Sequence, residues 1–301
     1  MKVKHVNRTQ SNLSMAHSPE LDAVPAELRV APPSPQERQN AVCAYLSGIW
    51  NARYFWVHLS LSDLRYRWRR SFFGALWSIM QPVGMTLLLS LVFGRIFNAD
   101  IAEYAPFILS GMIFWEFITS TATGGSLAFV QADAYIKQCH HPLAIYTLRT
   151  ALTNLLVLMM ASLGLVAWVL VVMPHHFGWQ WLAALLIYPI VALIAWPLAT
   201  VLAYVATRFR DVPHALALAF QTLWLVSPIY FDPALFRNGG LHVLVDYNPV
   251  YHLLEVVRAP LLRGQWPTST NFAYCAVTIL ALTLLAWLVG RTAERRVIFY
   301  L

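Results

Sequence analysis

At 301 residues, with 58% hydrophobic and only 12% charged residues, the chain has no room for a large separate soluble domain. Its formal net charge of +7 is spread over short segments rather than one folded face, which argues against a nucleic-acid partner. The three cysteines, Cys43, Cys139 and Cys275, are far apart and form no CxxC, so a disulfide framework is not expected.

The chain begins with a polar stretch, 1–44, containing PPSP at 32–35 and showing neither helical nor alternating apolar spacing. It reads as a disordered cytoplasmic tail, followed by one membrane domain over 45–301. Residues 45–71, YLSGIWNARYFWVHLSLSDLRYRWRRS, mix aromatic and aliphatic residues with Arg65, Arg67, Arg69 and Arg70. That hydrophobicity is too broken for a span and suits an amphipathic helix lying at the membrane interface. Six apolar runs then follow, at about 71–94, 104–130, 143–173, 177–207, 212–231 and 267–290. Glu116 and Arg149 are the only charges inside them. A hydrocarbon core about 30 Å thick needs roughly 20 apolar residues in a helix, so six spans are expected. Pro82 is expected to kink the first. An acid inside a span is costly in lipid. Glu116 therefore should face protein or water, either bonded to a channel group or helix or placed as an interfacial acid near the outer end of its span.

Between the second and third runs, VQADAYIKQCHHP (130–142) reads as a short polar helix ended by Pro142, either a connector or a docking knob. In the fifth run, Phe220, Trp224, Ser227 and Phe231 are spaced to share one helical face within roughly 60° of arc. Such a stripe serves core or lipid packing as readily as a substrate surface. The segment 232–266 is long for a connection, and Val250, Leu253, Leu254, Val257 and Leu261 recur at helical spacing. It reads as short helices dipping back into the membrane from outside.

With the N-terminus inside, all of the 21 basic residues except Arg95, Arg237, Arg258 and Arg263 fall on the inner side, so both termini are expected to be cytoplasmic. No GxxxxGK[ST] loop, GxSxG elbow or HExxH occurs, so no cofactor is expected in this chain. The pairs His140-His141 and His175-His176 lack a third ligand at metal-site spacing, so no metal site is expected either.

Three stretches carry a family resemblance. DLRYRWRRSFFGALWSIMQP (63–82) resembles the first signature of permeases of type-2 ABC exporters that move O-antigen polysaccharides and teichoic acids, the Wzm-like group. The matching positions are Asp63, Arg65, Arg67, Arg69, Ser71, Gly74, Trp77, Gln81 and Pro82. PFILSGMIFWEF (106–117) with the segment 130–142 looks like that family's second span and cytoplasmic gate helix. Here Ile136-Lys137-Gln138-Cys139-His140-His141-Pro142 replaces the usual doubled lysine and its spacing. RDV (210–212), SPIYF (227–231) and NPVYHLLEVVRAPLLRG (248–264) are similar to the fifth span and external gate.

The resemblance implies an all-α integral membrane protein of the bacterial inner membrane. It implies a homodimer with two copies of a cytoplasmic ATPase subunit, which hold the ATP and Mg. The cargo implied is a lipid-linked glycan, in a channel lined by spans 1 and 5. On that reading Trp77, Gln81, Phe220, Trp224, Ser227, Tyr230 and Phe231 line the substrate path. Arg65, Arg67, Arg69, Asp133, Tyr135 and Lys137 meet the ATPase, and Asn248, Pro249, His252, Glu255 and Arg258 form the external gate. Aromatic faces suit the C–H faces of sugar rings. Two other readings remain: a related ABC exporter for another cargo (teichoic acid, capsule, lipid or drug), and a membrane glycosyl- or acyltransferase using His252 and Glu255.

Overall fold

The computed structural model describes the backbone of residues 35–138 and 141–300, and no strand occurs among them. The tail expected over 1–34, like Cys139 and His140, lies outside the described residues. Residues 47–301 form one compact unit.

Residues 35–44, expected to belong to the disordered tail, instead open a helix, α1 (Pro35–Asn51). Proline at the first helical position needs no backbone donor there, and the helix-forming residues that follow extend it. The expected interface helix 45–71 is the end of α1 plus α2 (Arg53–Trp68), separated by a break at Ala52. After α2 the chain turns sharply. Arg70 and Gly74 both have positive φ, 63° and 51°, and the Ser71 hydroxyl accepts from the Gly74 N–H at 3.2 Å. The S-x-x-G spacing is thus a turn device: glycine takes the left-handed conformation at no steric cost, and the serine satisfies its amide.

A 3₁₀ turn at Gly74–Leu76 leads into α3 (Trp77–Phe97), a continuous helix with Pro82 inside it. α4 (Ile101–Ser126) follows, then the short α5 (Ala128–Gln131) and α6 (Asp133–Gln138). α7 (Ala144–Val172), the short α8 (Trp181–Leu185) and α9 (Ile187–Arg208) continue the bundle. α10 (Val212–Val226) comes next, and then three helices of the outer segment, α11 (Pro233–Asn238), α12 (Val243–Asp246) and α13 (Pro249–Arg263). α14 (Ser269–Tyr300) closes the chain.

Among the described residues, five helical stretches are long and apolar enough to cross a membrane: Gly74–Phe97, Ile101–Gln131, Ala144–Val172, Trp181–Arg208 and Ser269–Glu294. The fifth expected span is shorter than 212–231. α10 has 15 residues, about 22 Å of helix at 1.5 Å per residue. It stops because Ser227 precedes Pro228 and is held extended (φ −86°, ψ 142°).

The core lies between α4, α7, α9 and α13, around Ile108, Phe114, Leu165, Val191 and Leu254. Hydroxyls stitch the helices where lipid offers no partner. Thr147 and Thr200 meet at 2.7 Å, Ser162 and Tyr188 at 2.6 Å, and the Trp196 indole donates to the Ala144 carbonyl at 3.2 Å.

Candidate functional site

α2 is fastened to α7. The Arg149 guanidinium, the one charge in α7, donates through Nε to Asp63 Oδ2 at 2.5 Å and through Nη2 to Oδ1, a bidentate, half-buried ion pair. Beside it, Ser60 Oγ donates to the Arg149 carbonyl at 3.1 Å and Thr153 Oγ1 to the Ser60 carbonyl at 3.4 Å. Arg149 is visible in the sequence as a charge inside an apolar run and Asp63 as a position of the family signature; their pairing is not. Arg65, Arg67 and Arg69 are exposed on or just after α2. On α6, exposed Lys137 pairs with half-buried Asp133 at 2.8 Å. Tyr135 packs edge-on to Phe55 of α2 (6.1 Å), whose other neighbour is His141 (5.1 Å). All six residues expected to meet an ATPase thus lie on two adjoining short elements.

The residues expected to line one path fall into separate places. Trp77 and Gln81 border a cleft of about 590 Å³ between α3, α4 and α7, together with Arg67, Met85, Glu116, Ser120 and Asn154. Glu116 is exposed in the middle of α4, not at its outer end, and accepts from Ser120 Oγ at 2.9 Å. Phe220 and Trp224 border a second, shallower groove of about 300 Å³ between α4 and α10, with Trp115, Thr119 and Gln221. Phe220 meets Trp115 edge-on at 5.8 Å, whereas Trp77 meets Phe73 at 5.4 Å. Within one chain, α4 therefore stands between the two surfaces.

Nor do the four stripe residues share one helical face. Ser227 is the C-cap of α10 and is buried, and Phe231 lies beyond the helix. The aromatic series continues by another route. Trp224 touches Tyr230 (5.0 Å), Tyr230 touches Phe231 (4.1 Å), and both meet Phe93 of α3 (5.5 and 5.9 Å). Phe97 and Phe236 complete this cluster against Phe231 (5.8 and 6.2 Å). Sequence reading missed Phe93, Phe97 and Phe236; the FxxxF spacing of the first pair was the one available signal.

The expected external gate residues are fasteners rather than an exposed surface. Asn248 caps α13, accepting from the Val250 N–H at 2.9 Å, and donates through Nδ2 to Ser227 Oγ at 3.2 Å; Pro249 is the first helical residue. His252 is buried, with Nδ1 2.9 Å from Asn271 Oδ1, Nε2 2.8 Å from the Asp246 carbonyl, and its ring stacked on Tyr274 at 3.8 Å. Glu255, 6% exposed, is paired with Arg263. Both ring nitrogens of His252 are spent on other partners and Glu255 Oε2 is held by Arg263, so the two form no acid–base dyad. Among the described residues no group of three His, Cys, Asp or Glu side chains is placed to hold a metal ion.

Arg258 differs most from expectation. It is completely buried (0% exposed). Its guanidinium donates to the Pro228 carbonyl (2.8 Å), the Ile229 carbonyl (2.7 Å), the Phe107 carbonyl (3.1 Å) and Ser110 Oγ (3.1 Å), with Cζ 3.7 Å above the Phe107 ring. Next in the chain, the Tyr230 carbonyl accepts from the Tyr104 hydroxyl at 2.5 Å. Three successive carbonyls beyond the broken end of α10 are therefore satisfied by side chains of α13 and α4. This is what irregular backbone requires in a setting without water. The approach is close: a Cβ on Gly111 would sit 2.5 Å from the Ile229 oxygen and 2.8 Å from Arg258 Nη2.

The sequence profile of the family described as ABC-2 type transporter matches residues 56–262, from α2 through α13. The chain belongs to the ABC-2 type transporter family. With five long apolar helices it is a multi-pass membrane protein. It is similar to the O-antigen export system permease protein RfbA of Klebsiella pneumoniae, 22% identical over 73% of this chain and 83% of that protein. It is similar to the protein of the same name from Myxococcus xanthus, 23% identical over 80% of this chain and 91% of that one. The polysialic acid transport protein KpsM of Escherichia coli is 22% identical over 78% of this chain and 92% of its own length.

Proposed function

We propose that this chain is the membrane-spanning permease of an ATP-driven exporter that moves a lipid-linked polysaccharide of the O-antigen type outward across the bacterial inner membrane. The observation that carries the reading is the family match over 56–262, joined to relatives named as O-antigen export permeases along most of their length. The permease works as a homodimer on two copies of a cytoplasmic ATPase subunit, which bind ATP and Mg. α10 with its extended continuation serves as the sixth span, and both termini are cytoplasmic. Exposed α6 and the arginines of α2 are the docking surface. The Asp63–Arg149 pair supports this, because it gives a displaced α2 a direct hold on a span. The aromatic series from Phe220 to Phe236 offers a passing glycan ring faces with little sequence preference.

The test is to purify the chain with and without its ATPase subunit. ATP turnover is expected only in the complex. A Tyr135→Cys variant should crosslink to the ATPase, and Lys137→Glu should leave hydrolysis while lowering export. ATP turnover by the chain alone, abolished by a substitution within it, would sink the reading. Unchanged export in several disruptive variants of 133–138 would reduce α6 to a connector.

The aromatic series makes a separate expectation. Phe220 and Trp224 are only half-buried, so replacing either by Ala should cost about 1–2 kcal/mol of stability. Protein abundance should stay near normal while surface polysaccharide falls several-fold. Normal export at normal abundance in the Phe220→Ala, Trp224→Ala double variant would remove these rings from the path.

A further inference from the structure

We propose that the cleft between α3, α4 and α7 binds uncharged sugar units of the transported glycan and rejects anionic ones, with Glu116 as the specificity-determining group. The inference rests on the functional reading above and adds a chemical class of cargo to it.

The cleft starts at the end of α2, where Arg67 lines it, and runs along the first half of α3 to the middle of α4 and α7. Its walls are apolar, from Met85, Met112 and Leu158, and its polar groups converge from three helices: Gln81 from α3, Glu116 and Ser120 from α4, and Asn154 from α7. Asn154 is 8% exposed and has no hydrogen-bond partner among the described residues, so its amide is left for whatever occupies the cleft. Among the described residues the Glu116 carboxylate bonds only to Ser120, and no cation pairs with it. An unpaired carboxylate facing lipid at mid-span is costly; facing this cleft, it has Gln81, Ser120 and Asn154 around the same space.

An amide pair, a hydroxyl and a carboxylate between apolar walls match a neutral sugar. Its hydroxyls donate to the carboxylate and amide oxygens, and its C–H faces lie on Met and Trp side chains. A sugar carrying its own carboxylate or phosphate meets the unpaired Glu116 charge at short range inside the cleft, where like charges repel. Arg67, at the α2 end, is the single cation of the lining. It can draw an anionic linkage to the mouth but leaves the deeper charge unopposed.

The experiment uses the full chain with its ATPase subunit, expressed in cells that build either a lipid-linked neutral hexose polymer or a lipid-linked sialic acid polymer. Surface polymer is quantified, and binding of the matching hexasaccharides to the purified complex in nanodiscs is measured in parallel. The wild-type complex should favour the neutral polymer by about tenfold or more. Glu116→Gln keeps the bond to Ser120 and should narrow that ratio about tenfold, chiefly by raising transport and binding of the sialic acid polymer. Glu116→Lys should move it further in the same direction. An identical ratio in wild type and Glu116→Gln at normal abundance overturns the inference and leaves the exporter reading intact. Export of neither polymer by a wild-type complex that hydrolyses ATP overturns both.

Discussion

Replacing Arg258 by methionine is expected to remove most of the folded protein from the membrane. Methionine roughly fills the space but donates no hydrogen bond, so the carbonyls of Pro228 and Ile229 lose the side-chain donor that satisfies them. Buried acceptors left unsatisfied cost about 1–3 kcal/mol each, so the expected loss is about 3–5 kcal/mol. Arg258→Lys should do less damage but still fail. One ammonium cannot reach four acceptors on two chain segments that a planar fork spans at once. Gly111→Val should act at the same place from the other side, since any Cβ there collides with the Ile229 oxygen. Thermal unfolding in detergent and membrane abundance measure all three. Wild-type abundance for Arg258→Met would mean that the extended stretch after α10 needs no clamp.

Reversing Asp63 to arginine should be the second large effect. It places two guanidinium groups in the half-buried site between α2 and α7, where the Arg149 and Asp63 side chains are 17% and 33% exposed. A loss of about 2–4 kcal/mol is expected, after allowing for partial screening by solvent. On the proposed function, export should fall more than abundance, because α2 loses its hold on α7. The exchanged variant, Asp63→Arg with Arg149→Asp, should recover at least half of the loss in a double-mutant cycle. If the single reversal exports normally, the pair is an ornament of packing and the coupling route lies elsewhere.

The long spans were readable because one property decides them. A charge-free run long enough for the hydrocarbon core has few other outcomes, and the stretches Gly74–Phe97, Ile101–Gln131, Ala144–Val172, Trp181–Arg208 and Ser269–Glu294 lie within a few residues of the runs that announced them. The fifth span was overestimated because hydropathy does not register that Pro228 ends a helix while Ile229, Tyr230 and Phe231 keep the run apolar. The boundary at 35 was missed for the opposite reason: a polar, proline-led helix has no apolar period to reveal it.

The candidate site was legible as residues and not as an arrangement. Arg258 looked like an outer charge because it follows a loop on the side where few basic residues fall. Its partners are main-chain oxygens on elements far away in sequence, and carbonyls leave no mark in a sequence. Arg149 stood out as a charge inside an apolar run and Asp63 as a position of the family signature, but their pairing did not, because nothing local links α2 to a residue 86 positions later. The stripe on α10 followed correctly from helical spacing up to Trp224, and failed at Ser227 where the helix itself ends.

The clamp on residues 228–230 has a consequence for how such a protein can diverge. Arg258 and Tyr104 read the peptide oxygen that every amino acid carries, so the fastening does not depend on which side chains those residues bear. A lineage can therefore retune the ring at Phe231 for a new cargo without renegotiating the bond that holds the segment in place. Arg258 and Gly111 have no such freedom, since each supplies something only that residue type can: five donors in one plane, and the absence of a side chain. Drift in this region should accumulate on the half that is held and stall on the half that holds.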